Sequence, residues 1–247
     1  MRRAATVGRR LPSSRVLGVT PLTILGSSVA FWTRGDLGRT ANGGATAGRA
    51  DQSGNGRHFS QGTPGSQPLF VANGSLNGCT CDRYDGTDDY IENTTWTFSG
   101  AATVFIVYKL NVNAGAGQSV LTLANDPTSW SELLVDLNTY RETSFAHDFS
   151  SVASVGHDAV IGTSGHIHMH TWDGSGTYIA SLDGAAQSIT ASGAFARGAG
   201  NKSSIGARQG GSFPTSMDLY EVAVAVGVQS AARQSALYNY ARQRYGL

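Results

Sequence analysis

Ala102-Thr103-Val104-Phe105-Ile106-Val107-Tyr108-Lys109-Leu110 is apolar almost without a break. A continuous apolar run of this length, bounded by Gly-containing segments, predicts a central strand covered on both faces. Short strand-like runs recur after it at 119–123, 132–137, 159–161, 166–172, 177–182, 203–207 and 219–226. Asp173-Gly174-Ser175-Gly176 reads as a hairpin turn between two of them, and Asp183-Gly184 marks the next reversal.

N-terminal to the central run, strand-like residues begin at Ile24 and continue through Val29-Ala30-Phe31-Trp32. Residues 35 to 66 are dense in Gly, Asn, Ser, Thr and Asp, and read as a long surface excursion with little core of its own. One helix is predicted at the C-terminus. Ser230 caps it, Ala236, Leu237, Tyr240 and Ala241 share a face, and Gly246 stops it. Many strands and one terminal helix predict an all-β, two-sheet antiparallel jelly-roll sandwich, and no repeat of solenoid or propeller length is visible.

The 247 residues suffice for one large sandwich, and 40% hydrophobic with only 14% charged residues describes a globular body with a polar, uncharged skin. Glycine, at 32 residues, suits many tight turns. The net charge of +1 hides an asymmetry. Residues 1 to 35 carry Arg2, Arg3, Arg9, Arg10, Arg15 and Arg34 with no acid, so the remaining chain is about −5. Residues 1 to 20 therefore read as a basic, extended docking arm, with Arg2, Arg3, Arg9, Arg10 and Arg15 as its contacts, ahead of one domain at 21–247. Arginines without interleaved aromatics do not predict specific nucleic-acid binding. The apolar run Val16 to Leu25 is broken by Thr20, Pro21 and Thr23, which argues against a signal peptide, and no stretch is long enough to span a bilayer. Cys79 and Cys81 are too close to bridge comfortably and read as small buried hydrophobes.

Several stretches, in this order, resemble the concanavalin A-like lectin/glucanase superfamily, in the laminin-G-like form found in bacteriophage structural proteins. They are Phe31-Trp32-Thr33-Arg34-Gly35-Asp36-Leu37-Gly38, Asp51-Gln52-Ser53-Gly54-Asn55-Gly56 and Tyr84-Asp85-Gly86-Thr87-Asp88-Asp89-Tyr90-Ile91. Thr171-Trp172-Asp173-Gly174, Ile205-Gly206-Ala207-Arg208 and Asp218-Leu219-Tyr220-Glu221-Val222 follow. The resemblance implies a lectin-like jelly roll and a non-enzymatic virion structural protein of the capsid-decoration, head-fibre or tail-appendage type. Such a protein is multicopy or homo-oligomeric on a particle, meets other virion or surface proteins through its arm, and contacts host glycans. A secreted or cell-surface carbohydrate-binding module is the alternative, and a polysaccharide-degrading glycoside hydrolase a second one.

The residues themselves argue against catalysis. Glycoside hydrolysis takes two carboxylates roughly 5 to 10 Å apart, yet of the four glutamates, Glu92, Glu132, Glu142 and Glu221, none has an acid at i+2. Gly198-Ala199-Gly200-Asn201-Lys202-Ser203 lacks phosphate-loop spacing, Gly162-Thr163-Ser164-Gly165 lacks that of a nucleophile elbow, and no cofactor motif is present. Asp88 and Asp89 point apart on an extended chain, so the aspartates of 84–91 are expected to cap turn amides and not to hold a cation. His166, His168 and His170 share one strand face, with Ile167 and Met169 opposite. A solvent or interface face is the main expectation there, ahead of ligand contact, and no metal is predicted. Trp130 and Tyr140, beside Arg141 in a turn, are the candidate sugar platforms, whereas Trp32 and Trp172 read as core plugs.

Overall fold

The structure is a computed structural model, and it describes residues 18–96, 100–111, 118–125, 132–138, 141–148, 151–160, 163–174, 177–190 and 202–247. The elements run α1 (Pro21–Leu25), β1 (Val29–Arg34), β2 (Arg39–Asn42), β3 (Ala45–Arg49), β4 (Phe59–Ser60), β5 (Leu69–Val71), β6 (Cys81–Asp85), β7 (Ile91–Asn93) and β8 (Ala102–Leu110). They continue β9 (Leu121–Asn125), β10 (Glu132–Asn138), β11 (Arg141–Asp148), β12 (Ser151–Val160), β13 (Gly165–Trp172) and β14 (Thr177–Leu182). The last are β15 (Ala185–Thr190), β16 (Lys202–Ile205), β17 (Ser216–Val226) and α2 (Ala231–Tyr245).

These strands form an antiparallel β-sandwich. One long curled sheet runs β15-β14-β13-β8-β17-β6-β5-β3-β4-β7-β16-β9, with β1 also on β17 and β2 on β3. A three-stranded sheet, β10-β11-β12, lies beside β9 at one end and beside β14 and β15 at the other, so it bridges the two ends of the curl.

The central strand behaves as its sequence predicts. β8 lies between β13 and β17 and sends alternate side chains into two separate cores. Val104, Ile106, Tyr108 and Leu110 enter the sandwich interior with Phe31, Trp172 and Val222. Phe105 and Val107 face outward into a second core that α2 covers with Leu237, Tyr238, Tyr240, Ala241 and Tyr245. β17 shares this two-sided role. Its ladder with β8 shifts register between Leu219 and Glu221, and this bulge turns both Tyr220 and Glu221 toward the helix side.

The α2 caps are as expected. Ser230 Oγ accepts from Arg233 N–H, and Gly246 takes the left-handed conformation, φ +74°. The buried face differs at three positions, because Ala236 is half-buried whereas Tyr238 and Tyr245 are covered. Both hairpins also form: β13 pairs β14, and Asp183 with Gly184 at positive φ turns β14 into β15.

Two expectations need correction. Ile24 lies in α1, not in a strand, because Thr20 and Thr23 form a reciprocal capping box and Pro21 occupies the first helical position. The 35–66 segment also contributes to the core. Arg49 forks onto Asp82 through Nε at 2.7 Å and Nη2 at 2.6 Å, both side chains being buried, and Thr46 adds a hydroxyl to the same carboxylate. Phe59 packs 4.8 Å from Phe31 in the interior, while Asp51 accepts the Trp32 and Ser53 amides and ties the loop to β1.

Candidate ligand-binding rim

β6 leaves the sheet at Asp85, and Gly86 reverses the chain at φ +80°. A Cβ at Gly86 would lie 2.8 Å from the Ser216 Cβ, so only glycine lets this turn press against β17. Asp85 Oδ1 accepts from the Thr87 and Asp88 amides, Asp89 Oδ2 accepts from the Asp85 amide, and Ser66 Oγ donates to Asp88 Oδ2. Capping of turn amides is therefore as the sequence predicts. The expected divergence of Asp88 and Asp89 is not found: the segment is a tight turn and not extended chain, and one ligand oxygen from each of Asp85, Asp88 and Asp89 lies within 4.8 Å of the others.

None of the three is ion-paired among the described residues. Asp89 is 7% exposed, and burial, reinforced by the charges of Asp85 and Asp88 against the Asp85 amide, pushes its carboxyl up to about 6. Three carboxylate ligands fall short of the roughly six to eight oxygens that Ca2+ takes.

Beside this turn opens a cleft of about 400 Å3. Asp85 and Asp89 form its acidic side, Arg83, Asn111 and Ser216 line it further, and half-exposed Leu69 edges it. Arg83 grips buried Asp218 through Nε at 2.7 Å and Nη2 at 2.9 Å, and Asn111 Nδ2 donates to the same carboxylate at 3.0 Å. Burial alone would raise the Asp218 carboxyl, but these hydrogen bonds outweigh it and hold the group below the usual carboxylate range.

Sequence reasoning missed an exposed aromatic residue in the loop that leads into Ser216. Phe213 is 44% exposed and sits at φ +55°, a conformation that costs a non-glycine residue about 1 kcal/mol or more. Its loop is pinned: Arg208 N–H donates to Ser212 O, Thr215 N–H to Gly206 O, and Ser119 N–H to Phe213 O. The Arg208 guanidinium lies 4.3 Å from the Phe213 ring centroid. Gly211 abuts the Tyr90 ring, where a Cβ would come within 3.0 Å, which sets this loop against the 85–90 turn. The signal in the sequence is Phe213-Pro214 just after Gly210-Gly211, an aromatic residue inside a turn.

The residues singled out from sequence lie elsewhere. His166, His168 and His170 share a face as predicted, but that face points into the sandwich and not to solvent, because the β13 register places them opposite Tyr108, Ile106 and Val104 of β8. His168 and His170 stack with centroids 3.8 Å apart, and burial, then the neighbouring His170, holds the His168 pKa well below its ordinary value. His166 Nδ1 meets Asp183 Oδ2 at 2.8 Å. Ile167 and Met169 join the second core. Trp32 and Trp172 are buried, as expected of core plugs, and so is Cys81, while Cys79 is half-buried. Trp130, Tyr140, Arg2, Arg3, Arg9, Arg10 and Arg15 lie outside the described residues, and so does the Arg141 side chain, whose backbone opens strand β11.

Solved structures share this architecture. The binding domain of botulinum neurotoxin serotype D matches with a TM-score of 0.63 at 10% identity, over 90% of this chain and 53% of the toxin chain. The binding domain of Paraclostridial Mosquitocidal Protein 1 matches with a TM-score of 0.64 at 13% identity, over 87% and 53%. Domain 4 of AbnA, a GH43 extracellular arabinanase from Geobacillus stearothermophilus, solved in complex with arabinotriose, matches with a TM-score of 0.64 at 16% identity, over 85% of this chain and 98% of that domain. The fold is a β-sandwich. At these identities the likeness is one of fold, and this chain spans about half the length of the toxin binding domains. No family model and no curated protein matches the sequence. The β-sandwich is thus shared, while the phage-type laminin-G form stays a resemblance of the sequence. Among the described residues no helix is long and apolar enough to cross a membrane.

Proposed function

We propose that this chain is a non-catalytic carbohydrate-binding module that takes its ligand in the rim cleft, with Phe213 as the aromatic face beside it. The observation that carries this reading is an open cleft of about 400 Å3 lined by Asp85, Asn111 and Ser216, together with an exposed ring at Phe213 in the pinned loop that leads into Ser216. The arabinanase domain supports it more than the toxins do, because this chain covers 98% of a domain solved with an oligosaccharide. Against catalysis stands the placement of the acids: Asp85, Asp88 and Asp89 belong to one turn on one side of the cleft, and hydrolysis takes carboxylates that flank the scissile bond.

Calorimetric titration of the full chain with arabinotriose and a panel of neutral and acidic oligosaccharides tests the reading. Binding lost in Phe213→Ala, with the melting temperature retained, supports it. A panel without a binder, or binding indifferent to Phe213→Ala, overturns it.

The setting we propose is a particle surface, where the module decorates a virion in many copies. This rests on the phage-type resemblance and on the five arginines at residues 2–15. Deleting residues 1–17 should abolish co-sedimentation with assembled particles and leave the melt unchanged. Full attachment without them sinks the docking role.

A further inference from the structure

Resting on that reading, we infer that the rim cleft selects neutral sugars bearing free hydroxyls and rejects sialylated and uronic glycans. The argument is the charge and the hydrogen-bonding sense of the groups that face the cleft. Ionised carboxylates only accept hydrogen bonds. Asp85 and Asp89 line the cleft, and an Asp88 oxygen lies within 4.8 Å of theirs. Sugar hydroxyls donate to such acceptors, whereas a second carboxylate brought there meets like charge.

The nearby cations do not offset this. Recognition of a carboxylate takes a guanidinium fork with its donors free. Arg83, which also lines the cleft, gives Nε and Nη2 to buried Asp218, so its charge is matched by that acid, and Lys109 stands opposite Asp218 in the β8–β17 ladder. The acidic side of the cleft therefore meets an incoming ligand without a cation partner among the described residues. Asp89 titrates near 6, so the negative field at the rim weakens as the pH falls toward 5.

The test uses matched pairs on the full chain: arabinotriose against trigalacturonic acid, and lactose against its sialylated form. The neutral member should bind at least about fivefold more tightly, the factor that one charge pair at roughly 4 Å in water supplies. The double variant Asp85→Asn, Asp88→Asn keeps amide-oxygen acceptors for the turn and removes two charges, so it should shrink that difference. An acidic member that binds as well as its neutral partner overturns the selectivity while leaving carbohydrate binding standing. An unchanged difference in the folded double variant, or neutral binding that disappears with a chelator, overturns direct recognition by these carboxylates. Failure of every sugar in both classes sinks the carbohydrate reading itself, and the selectivity with it.

Discussion

The Tyr245 hydroxyl, in the last turn of α2, donates at 2.7 Å to the carboxylate of Glu221 in the middle of β17. Tyr240 donates to the same carboxylate at 2.9 Å and Trp32 Nε1 at 2.7 Å, so α2, β17 and β1 meet on one buried acid that is 1% exposed. Burial pushes the Glu221 carboxyl up, and the Tyr245 and Trp32 hydrogen bonds pull the other way.

Glu221→Leu leaves three buried donors without their acceptor, and each that stays unsatisfied costs about 1–3 kcal/mol. Glu221→Gln keeps one acceptor oxygen and should cost less. Chemical denaturation measures both, and equal costs would show that a neutral amide oxygen does not replace the carboxylate.

The helix face is tested at Leu237. It is fully buried beneath α2, so Leu237→Ala should cost about 2–5 kcal/mol. Hydrogen exchange that shows residues 231–245 unprotected in the native chain would contradict the packing.

Asp89 makes stability depend on pH in a defined window. Its folded pKa is raised from 3.8 to about 6, so the folded state binds the proton more tightly than the unfolded one. The contribution is complete below 3.8 and is lost as the pH rises through about 6. Asp89→Asn, whose amide oxygen still accepts from the Asp85 amide, should gain melting temperature on the parent between pH 4 and pH 7. A constant difference across that range refutes the raised pKa.

Phe213 separates strain from binding. Phe213→Gly relieves the φ +55° conformation and should leave the melting temperature unchanged or raise it, by up to about 1 kcal/mol of stability, while sugar binding disappears. A large loss of stability would show that the ring holds its loop together.

How much of this was legible in the sequence depended on the range of the interactions. The two-sided burial of β8, the β13–β14 hairpin and the Ser230 and Gly246 caps follow from local pattern and turn chemistry, and the structure has them. The errors arose where distant residues decide. Arg49 is buried because Asp82 waits 33 positions later, and nothing near Arg49 announces that partner. The histidines of β13 read as a polar outer face, yet alternation alone does not say which face of a strand is inside, and the β8 register decides it. The acidic turn is a different case: the sequence places Asp88 and Asp89 on extended chain, whereas Gly86 folds the segment back so that their carboxylates converge. Phe213 went unnoticed because a single aromatic residue among glycines carries no period.

The place of β17 has a consequence for the order in which the chain can fold. The Trp32–Glu221 contact spans 189 residues, and β8, β1 and β6 all take β17 as a neighbour. During synthesis the most apolar strand of the protein, β8, is complete more than a hundred residues before that neighbour emerges. Until then one of its edges is open, a ready template for pairing with another chain. Closure late in synthesis makes shielding of residues 102–110 until β17 has emerged the condition for a good yield of folded protein.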